Sequence, residues 1–252
     1  MEALVLAQHT ATPIQVLGMS FYFDRGTVER AKELGLNVYE FYGLGRGGVL
    51  GDVDTEVIQS AFTFFDPATI HLLWEKPRGK ASPVETAETH LQSAYDFADR
   101  TFGALPHHVL ADFAEASHRV ASHVAPGHHL LFDGYRRFDV PESAVHSAYL
   151  ATILLRELRG CAHIDAVNTV ELTPSEAAFL QDAGVFTLHG YAEADAPHVT
   201  PELEAKKLRA EALTDEAMAG YFSVLSDEQR RQLADGADAL FGALSAPVAV
   251  SD

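Results

Sequence analysis

The chain has 252 residues, with 18 Lys and Arg against 36 Asp and Glu, so its formal charge is −18. Its hydrophobic fraction of 47% excludes a disordered chain, because such chains bury too little apolar surface to fold. A single cysteine, Cys161, excludes a disulfide scaffold. The negative charge argues against nucleic acid as a partner, since a duplex repels it unless basic residues cluster.

The sequence also predicts the compartment. No run of 18 apolar residues occurs, so we expect no transmembrane helix and no membrane partner. The first 17 residues carry Glu2, His9 and Gln15 and lack a basic segment, which argues against a secretory signal. Together with the lone thiol, these features predict a cytoplasmic protein.

In chain order, the patterns predict a mostly α protein with winged-helix-like elements and few short strands. The strand-like runs are residues 4–6, 14–17 and 185–189, of which the last is typical of a wing. Capping residues and helical spacing predict helices in these segments: 27–34, 54–65, a turn from residue 67, 84–102, 109–124, 142–159, 163–170, 174–181, 202–222 and 226–244.

Pro- and Gly-containing segments predict the breaks between these helices. They indicate a linker at 76–83, a loop with aromatic anchors at 128–141, and an acidic irregular segment at 190–201. Gly160 is expected to end the helix that starts at residue 142. The resulting organisation is a winged-helix-like half over 1–80 and a helical half over 81–252, with one intertwined domain as the alternative.

One helix end concentrates ionisable groups. Arg156, Glu157, Arg159 and His163 follow an apolar stretch, and their i, i+3 and i, i+4 spacings place several of them on one face. Buried charges must be paired, so the group is either a structural ion-pair network or a ligand site. On the second interpretation, His163, Arg156 and Glu157 are the candidate catalytic residues.

A second segment, residues 40–51, surrounds one arginine with glycines. Such a segment turns sharply or brings backbone close to a ligand. It lacks the Lys-Ser/Thr ending of a phosphate-binding loop and a preceding strand, which argues against nucleotide binding. The interpretations are a plain turn, or a loop that lines a pocket with Arg46. The candidate ligand-binding residues are Arg46, Gly45, Tyr42, Arg159 and Tyr135.

Two motifs in this order carry a family resemblance. The Gly-Arg-Gly-Gly-Val-Leu-Gly stretch at 45–51 precedes a Phe-rich helix, and Leu-Arg-Glu-Leu-Arg-Gly-Cys-Ala-His spans 155–163. Together they resemble the SalK-like family of actinobacteria, which carries a helix-turn-helix label and occurs near natural-product genes. The resemblance implies a mostly α fold with winged-helix-like elements. The segment that would hold its recognition helix, between Gly184 and Glu202, is short and acidic here.

Cofactor and nucleophile alternatives rest on weaker spacings. Asp112, Glu115 and His118 form half of a carboxylate-bridged metal site, without a second copy. A haem ligand among the 13 histidines would leave no spacing signature. Cys161 beside His163 suggests a thiolate–imidazole pair if the helix breaks at Gly160. No metal ligands are assigned, and the cofactor stays open.

These observations leave several hypotheses. The first is a helical protein that binds a small organic molecule, with a natural-product tailoring enzyme as one form of it and a homodimer left open. The second is a dimeric winged-helix regulator that would use Lys76, Arg78 and Lys80, or Lys206, Lys207 and Arg209. A metal- or haem-dependent enzyme and an acidic partner-binding subunit complete the set.

Overall fold

A computed structural model describes residues 1–127 and 129–245, and every regular element in these ranges is helical. The mostly α prediction is therefore confirmed. Residues 128 and 246–252, which belong to the predicted C-terminal half, lie outside the described part. The helices are α1 Ala3–Met19, α2 Arg25–Glu33, α3 Val38–Gly47, α4 Thr55–Ala61, α5 Pro67–Ile70, α6 Lys76–Arg78, α7 Pro83–Phe102, α8 His107–His123, α9 Leu130–Tyr135, α10 Ala144–Thr169, α11 Pro174–Gln181, α12 Ala183–Leu188, α13 Pro201–Phe222 and α14 Asp227–Ser245.

Helix α10 is the central element, packed against α1, α7, α8, α9 and α13. Its first half is buried on all sides, as expected of a helix in the middle of a bundle. The helix runs through Gly160 without a break, so the prediction that Gly160 ends it is wrong. A single glycine costs a helix only about 1 kcal/mol relative to alanine, and the packed neighbours of α10 outweigh that cost.

The three predicted strands are all helical. Residues 4–6 and 14–17 belong to α1, whose buried positions Leu6, Thr10, Ile14 and Leu17 repeat every three or four residues. This helical pattern extends along most of α1, whereas the apolar runs that predict strands cover only three or four residues each. Residues 185–188 lie in α12, which begins where the Asp182 side chain accepts a hydrogen bond from the Gly184 amide. The wing-like strand is therefore absent from the described chain.

The glycine-rich segment is a helix and not a loop. Asn37 and Glu40 form a reciprocal capping box at the start of α3, which continues to Gly47. A Cβ at Gly43 would lie 2.3 Å from the Leu73 carbonyl oxygen, and one at Gly48 would lie 2.0 Å from that of Pro83. These glycines let α3 and the 3-10 turn that follows it, Gly48–Leu50, approach their neighbours closely, and the sharp turn comes only at Gly51, where φ is 93°.

The other predicted helix boundaries agree with the structure in some segments and differ in others. Residues 174–181 form α11 as predicted, and α13 and α14 begin within one residue of the predicted starts. The predicted linker contains α6, which continues a short π-helical turn, His71–Glu75. The predicted loop after residue 128 contains α9. In both segments tertiary packing stabilises helical turns that the local breakers disfavour.

Two apolar clusters fill the interior. The larger draws side chains from Leu6 in α1 to Leu240 in α14. The smaller joins the end of α10 to α13 through Ala166, Val167 and Ala210. No helix in the described residues is long and apolar enough to cross a membrane.

Candidate functional site

A cavity of about 530 Å³ lies along α10, bounded by α1, α3, α13 and the α11–α12 pair. Most of the predicted site residues line it, namely Tyr42, Arg46, Arg156, Glu157, Arg159 and His163. Long-range packing brings them together, because Tyr42 and Arg46 come from α3 and the others from α10.

Two arginines share one carboxylate on the cavity wall. Arg46 Nε and Nη2 donate to the two Glu157 oxygens over 2.9 and 2.8 Å, and Arg156 Nη1 donates to Glu157 Oε1 over 2.6 Å. The Glu157 side chain is only 1% exposed, and each arginine side chain 11%. We call these three residues the arginine–glutamate cluster.

The charges of the arginine–glutamate cluster do not cancel. Burial alone would raise the pKa of the Glu157 carboxyl, but the two guanidinium groups outweigh burial and hold that pKa below its ordinary value. Both arginines remain charged, since the pKa of each is raised although burial opposes it. The cluster therefore carries one net positive charge on the wall of the cavity.

Aromatic rings surround the two guanidinium groups. Arg46 donates from Nη1 to the Tyr42 hydroxyl over 2.9 Å, and its guanidinium carbon lies 4.7 Å from the centre of the Phe62 ring. The Arg156 guanidinium lies 5.5 Å from the centre of the Tyr22 ring. These contacts hold both arginines in place without supplying a negative charge.

A second polar group lies farther along α10. Arg159 Nη2 donates to Glu211 over 3.0 Å and lies 3.4 Å from Asp215, both on α13. One turn later the ring of His163 is hydrogen-bonded through Nδ1 to the Thr214 hydroxyl over 3.0 Å. Burial, opposed in part by the nearby carboxylates, lowers the pKa of His163, which favours the neutral imidazole.

Two predicted ligand-binding residues do not line the cavity. Gly45 faces the His90 ring, and a Cβ there would lie 2.5 Å from the His90 Cβ atom. Tyr135 is a core residue with 1% exposure. Gly45 is thus needed for packing between α3 and α7, and the Tyr135 side chain fills the interior behind the cluster.

Cys161 lines the cavity, but not as an activated thiol. Burial raises its pKa to about 12, and the nearby Glu157 charge acts in the same direction. Because α10 is continuous, Cys161 and His163 also point to different sides of the helix. The thiolate–imidazole interpretation is therefore wrong.

Several wall residues were missed from the sequence. His189, just after α12, packs against Phe65 with tilted rings and 4.2 Å between their centres, and burial and the Arg46 charge lower its pKa to about 4. Glu211 and Asp215 on the wall, and the buried Thr214 behind it, are supplied by α13, about fifty residues beyond the motif that they complete. Nothing local in the sequence pairs them with α10.

The half-site proposed for a metal is engaged otherwise. His118 Nε2 lies 3.2 Å from both the carbonyl and the hydroxyl oxygen of Ser147. Over residues 1–127 and 129–245, no group of three or more His, Cys, Asp or Glu side chains has a geometry suited to a metal ion.

The basic groups considered for DNA binding mostly have partners. Arg78 pairs with Asp52 and Glu75, and Lys80 with Glu40. On α13, Lys206 and Lys207 donate to the carbonyl oxygens of Glu171 and Leu180, whereas Arg209 pairs with Glu216.

Comparison with known proteins identifies the family of the chain. No curated protein and no solved structure matches the chain. Residues 7–196 match the helix-turn-helix family. This span runs from α1 through α12 and includes the arginine–glutamate cluster. The match covers most of the sequence, and the chain therefore belongs to the helix-turn-helix family.

Proposed function

We propose that the protein binds a small organic anion, of the carboxylate class, in the cavity along α10. The observation that carries this proposal is the pairing of two buried arginines with one buried carboxylate. An isolated excess charge is costly away from water, and an anionic ligand would neutralise it.

Arg156 is the group best placed to hold the anion. Only its Nη1 atom is hydrogen-bonded to Glu157, while Nη2 has no hydrogen-bond partner among the described residues. Arg46, in contrast, uses Nε, Nη1 and Nη2 on Glu157 and Tyr42. A guanidinium with a free terminal nitrogen suits the oxygens of a carboxylate.

The remaining walls indicate the body of the ligand. Phe62, Phe65 and Ile164 supply apolar surface inside the cavity. Phe23 and Tyr39 also line the cavity. They are 51% and 37% exposed, so the cavity wall is also apolar where it reaches the protein surface. A volume of about 530 Å³ lies within the range of small-molecule sites. These features suit an aromatic or aliphatic carboxylic acid.

A reaction on such a ligand is the finer form of this proposal. His163 and Arg156 would then act as acid–base and orienting groups, as in a tailoring enzyme of natural-product metabolism in the cytoplasm. This form is supported by the neutral imidazole on the cavity wall and by the resemblance to the SalK-like family. Binding precedes any such reaction and is tested first.

DNA binding is the second candidate, supported by membership of the helix-turn-helix family. The charge distribution opposes it: residues 160–205 contain no Lys or Arg and eight Asp or Glu, and this stretch includes α11 and α12. A gel-shift titration at low salt, with DNA fragments from the neighbouring promoters, tests it. Retardation that decreases as the salt concentration rises would support a DNA-binding regulator over a protein that binds only a small molecule.

The binding proposal is tested by calorimetric titration of 3-phenylpropionate, with the uncharged 3-phenylpropanol as the matched probe. We expect the acid to bind and the alcohol to bind at least ten-fold more weakly, because the alcohol lacks the charge that pairs with Arg156. Equal affinity for both probes, or no heat with the acid, would overturn the proposal.

A pair of variants tests the role of Arg156. In Arg156→Met the Arg46–Glu157 pair stays intact and the excess charge is gone, so the variant should fold with a melting temperature close to that of the parent and lose the acid. The exposed Arg25→Met is the matched control and should bind normally. Unchanged binding of the acid by Arg156→Met would show that Arg156 does not contact the ligand.

A further inference from the structure

The hydrogen bonds around His163 are the basis for assigning its tautomer. The Thr214 hydroxyl has one proton, which it donates to the Ala210 carbonyl oxygen over 2.8 Å. With that proton directed at Ala210, Thr214 Oγ1 accepts in its 3.0 Å contact with His163 Nδ1, and we assign the ring proton to Nδ1 on this arrangement. In the neutral imidazole, Nε2 is then an acceptor with a free lone pair.

No residue of the described chain uses this lone pair. His163 Nε2 has no hydrogen-bond partner there, although the residue lines the cavity. The charged groups around the ring are Arg159, Glu211 and Asp215, and the Phe64 ring packs beside it with 5.8 Å between centres. None of them donates a hydrogen bond to Nε2.

Arg156 and His163 lie at a defined distance from each other along α10. Seven residues separate them on α10, which is about two turns, so both lie on nearly the same face about 10 Å apart along the axis. Gly160 lies between them on the wall, and a Cβ there would meet no atom within 4 Å. The cavity is therefore open along the face that joins the donor Arg156 to the acceptor His163.

We propose that the ligand is a hydroxylated carboxylic acid, whose carboxylate pairs with Arg156 and whose hydroxyl donates to His163 Nε2. This inference rests on the proposed function, because it adds a second recognition point to the same cavity. Thr214 is a positioning residue in this arrangement, since it holds the tautomer in which Nε2 accepts. The ligand has its hydroxyl at the opposite end of an apolar body from its carboxylate.

The test compares three acids by calorimetric titration: 3-(4-hydroxyphenyl)propionate, 3-phenylpropionate and 3-(4-methoxyphenyl)propionate. We expect the hydroxylated acid to bind about ten-fold more tightly than either of the others, as one additional hydrogen bond predicts. The methoxy acid keeps the oxygen but cannot donate. If all three bind equally and depend on Arg156, the inference is wrong and the proposed function stands; if none binds, both are wrong.

Two variants separate recognition from folding. His163→Phe keeps an aromatic ring against Phe64 but removes the acceptor, so the ratio of the affinities for the hydroxylated acid and 3-phenylpropionate should fall from about ten to about one. Thr214→Val removes the hydroxyl that fixes the tautomer and should weaken the preference. A preference that survives in His163→Phe would overturn the inference.

The tautomer itself has a readout that needs no ligand. Nitrogen-15 NMR of histidine-labelled protein above pH 7 should show His163 protonated at Nδ1 and bare at Nε2, and Thr214→Val should change this distribution. A proton on Nε2 in the parent protein would overturn the inference irrespective of which acids bind.

Discussion

Arg46 on α3 and Glu157 on α10 form a two-pronged ion pair across 111 positions of sequence, with distances of 2.9 and 2.8 Å. The pair joins the first third of the chain to its central helix inside the protein. Its geometry is that of a guanidinium fork on a carboxylate, which is both directional and strong. Arg156 approaches the same carboxylate from the neighbouring position and leaves the arginine–glutamate cluster positive.

The first prediction concerns Glu157. Glu157→Gln removes the only carboxylate of the cluster and leaves two guanidinium groups buried beside each other, so we expect a loss of about 3–5 kcal/mol in the free energy of unfolding. Urea denaturation at pH 7 measures it. Glu29→Gln, in the exposed pair with Arg25, is the control and should leave the unfolding midpoint unchanged. A Glu157→Gln midpoint as high as that of the control would show that the cluster does not need its carboxylate.

The second prediction concerns Gly160. Because a Cβ there meets no atom within 4 Å, Gly160→Ala should raise the free energy of unfolding, by up to about 1 kcal/mol from helix propensity. Gly160→Leu should fold but obstruct the cavity and abolish binding of 3-phenylpropionate. Gly43→Ala is the contrasting variant and should destabilise, since its Cβ meets backbone at 2.3 Å. Normal binding by Gly160→Leu would place the ligand elsewhere.

The third prediction concerns acid stability and His90. This ring is 1% exposed, neither of its nitrogens has a hydrogen-bond partner within residues 1–127 and 129–245, and burial, with the nearby Arg46 charge, lowers its pKa to about 3. Below pH 6.5 the unfolded chain binds a proton at His90 that the folded chain does not. As the pH decreases from 6.5 to about 3, this group therefore lowers the free energy of unfolding by about 1.4 kcal/mol per pH unit.

His90→Leu removes that titration. Its unfolding free energy, measured by urea denaturation between pH 7.5 and 4.5, should fall less steeply than that of the parent protein, by about 1.4 kcal/mol for each unit below pH 6.5. The half-buried His189, whose pKa is also lowered, titrates in both proteins and cancels in the comparison. Parallel pH profiles would show that His90 is protonated equally in the folded and unfolded states.

The fourth prediction concerns Cys161. Its pKa of about 12 predicts slow alkylation by iodoacetamide at pH 8 in the folded protein and rapid alkylation in urea. Because Cys161 lines the cavity, a bound carboxylic acid should slow the folded-state reaction further. Mass spectrometry of quenched samples follows both rates. A folded-state rate equal to that in urea would show that the thiol is not buried.

The sequence predicts part of this architecture well. Ionisable groups at helical spacing after an apolar stretch identify residues 155–163 as a candidate site, and all four of the ionisable residues that it predicts, Arg156, Glu157, Arg159 and His163, line the cavity. The predicted start of α11 coincides with a Thr173–Glu176 capping box, which is a local signal. The local patterns thus predict helix ends and candidate residues wherever the decisive contacts lie within a few positions.

The remainder depends on contacts that local patterns do not contain. The glycines of α3 suggest a loop until α7 and Leu73 are known to lie against them. The orientation of His163 depends on Thr214, 51 positions later, and that of Arg159 on Glu211 and Asp215. These residues become partners only once α13 packs on α10. The division of the chain near residue 80 stays a prediction.

The position of α13 has a consequence for the diversity of related proteins. The family match ends at residue 196, whereas the side chains that orient Arg159 and His163 come from α13, Pro201–Phe222. Arg156 and His163 both lie inside the matched span, whereas the residue that orients the His163 ring, Thr214, lies outside it. A relative that keeps the matched span but differs in α13 would retain both proposed contact residues while changing the orientation of the His163 ring.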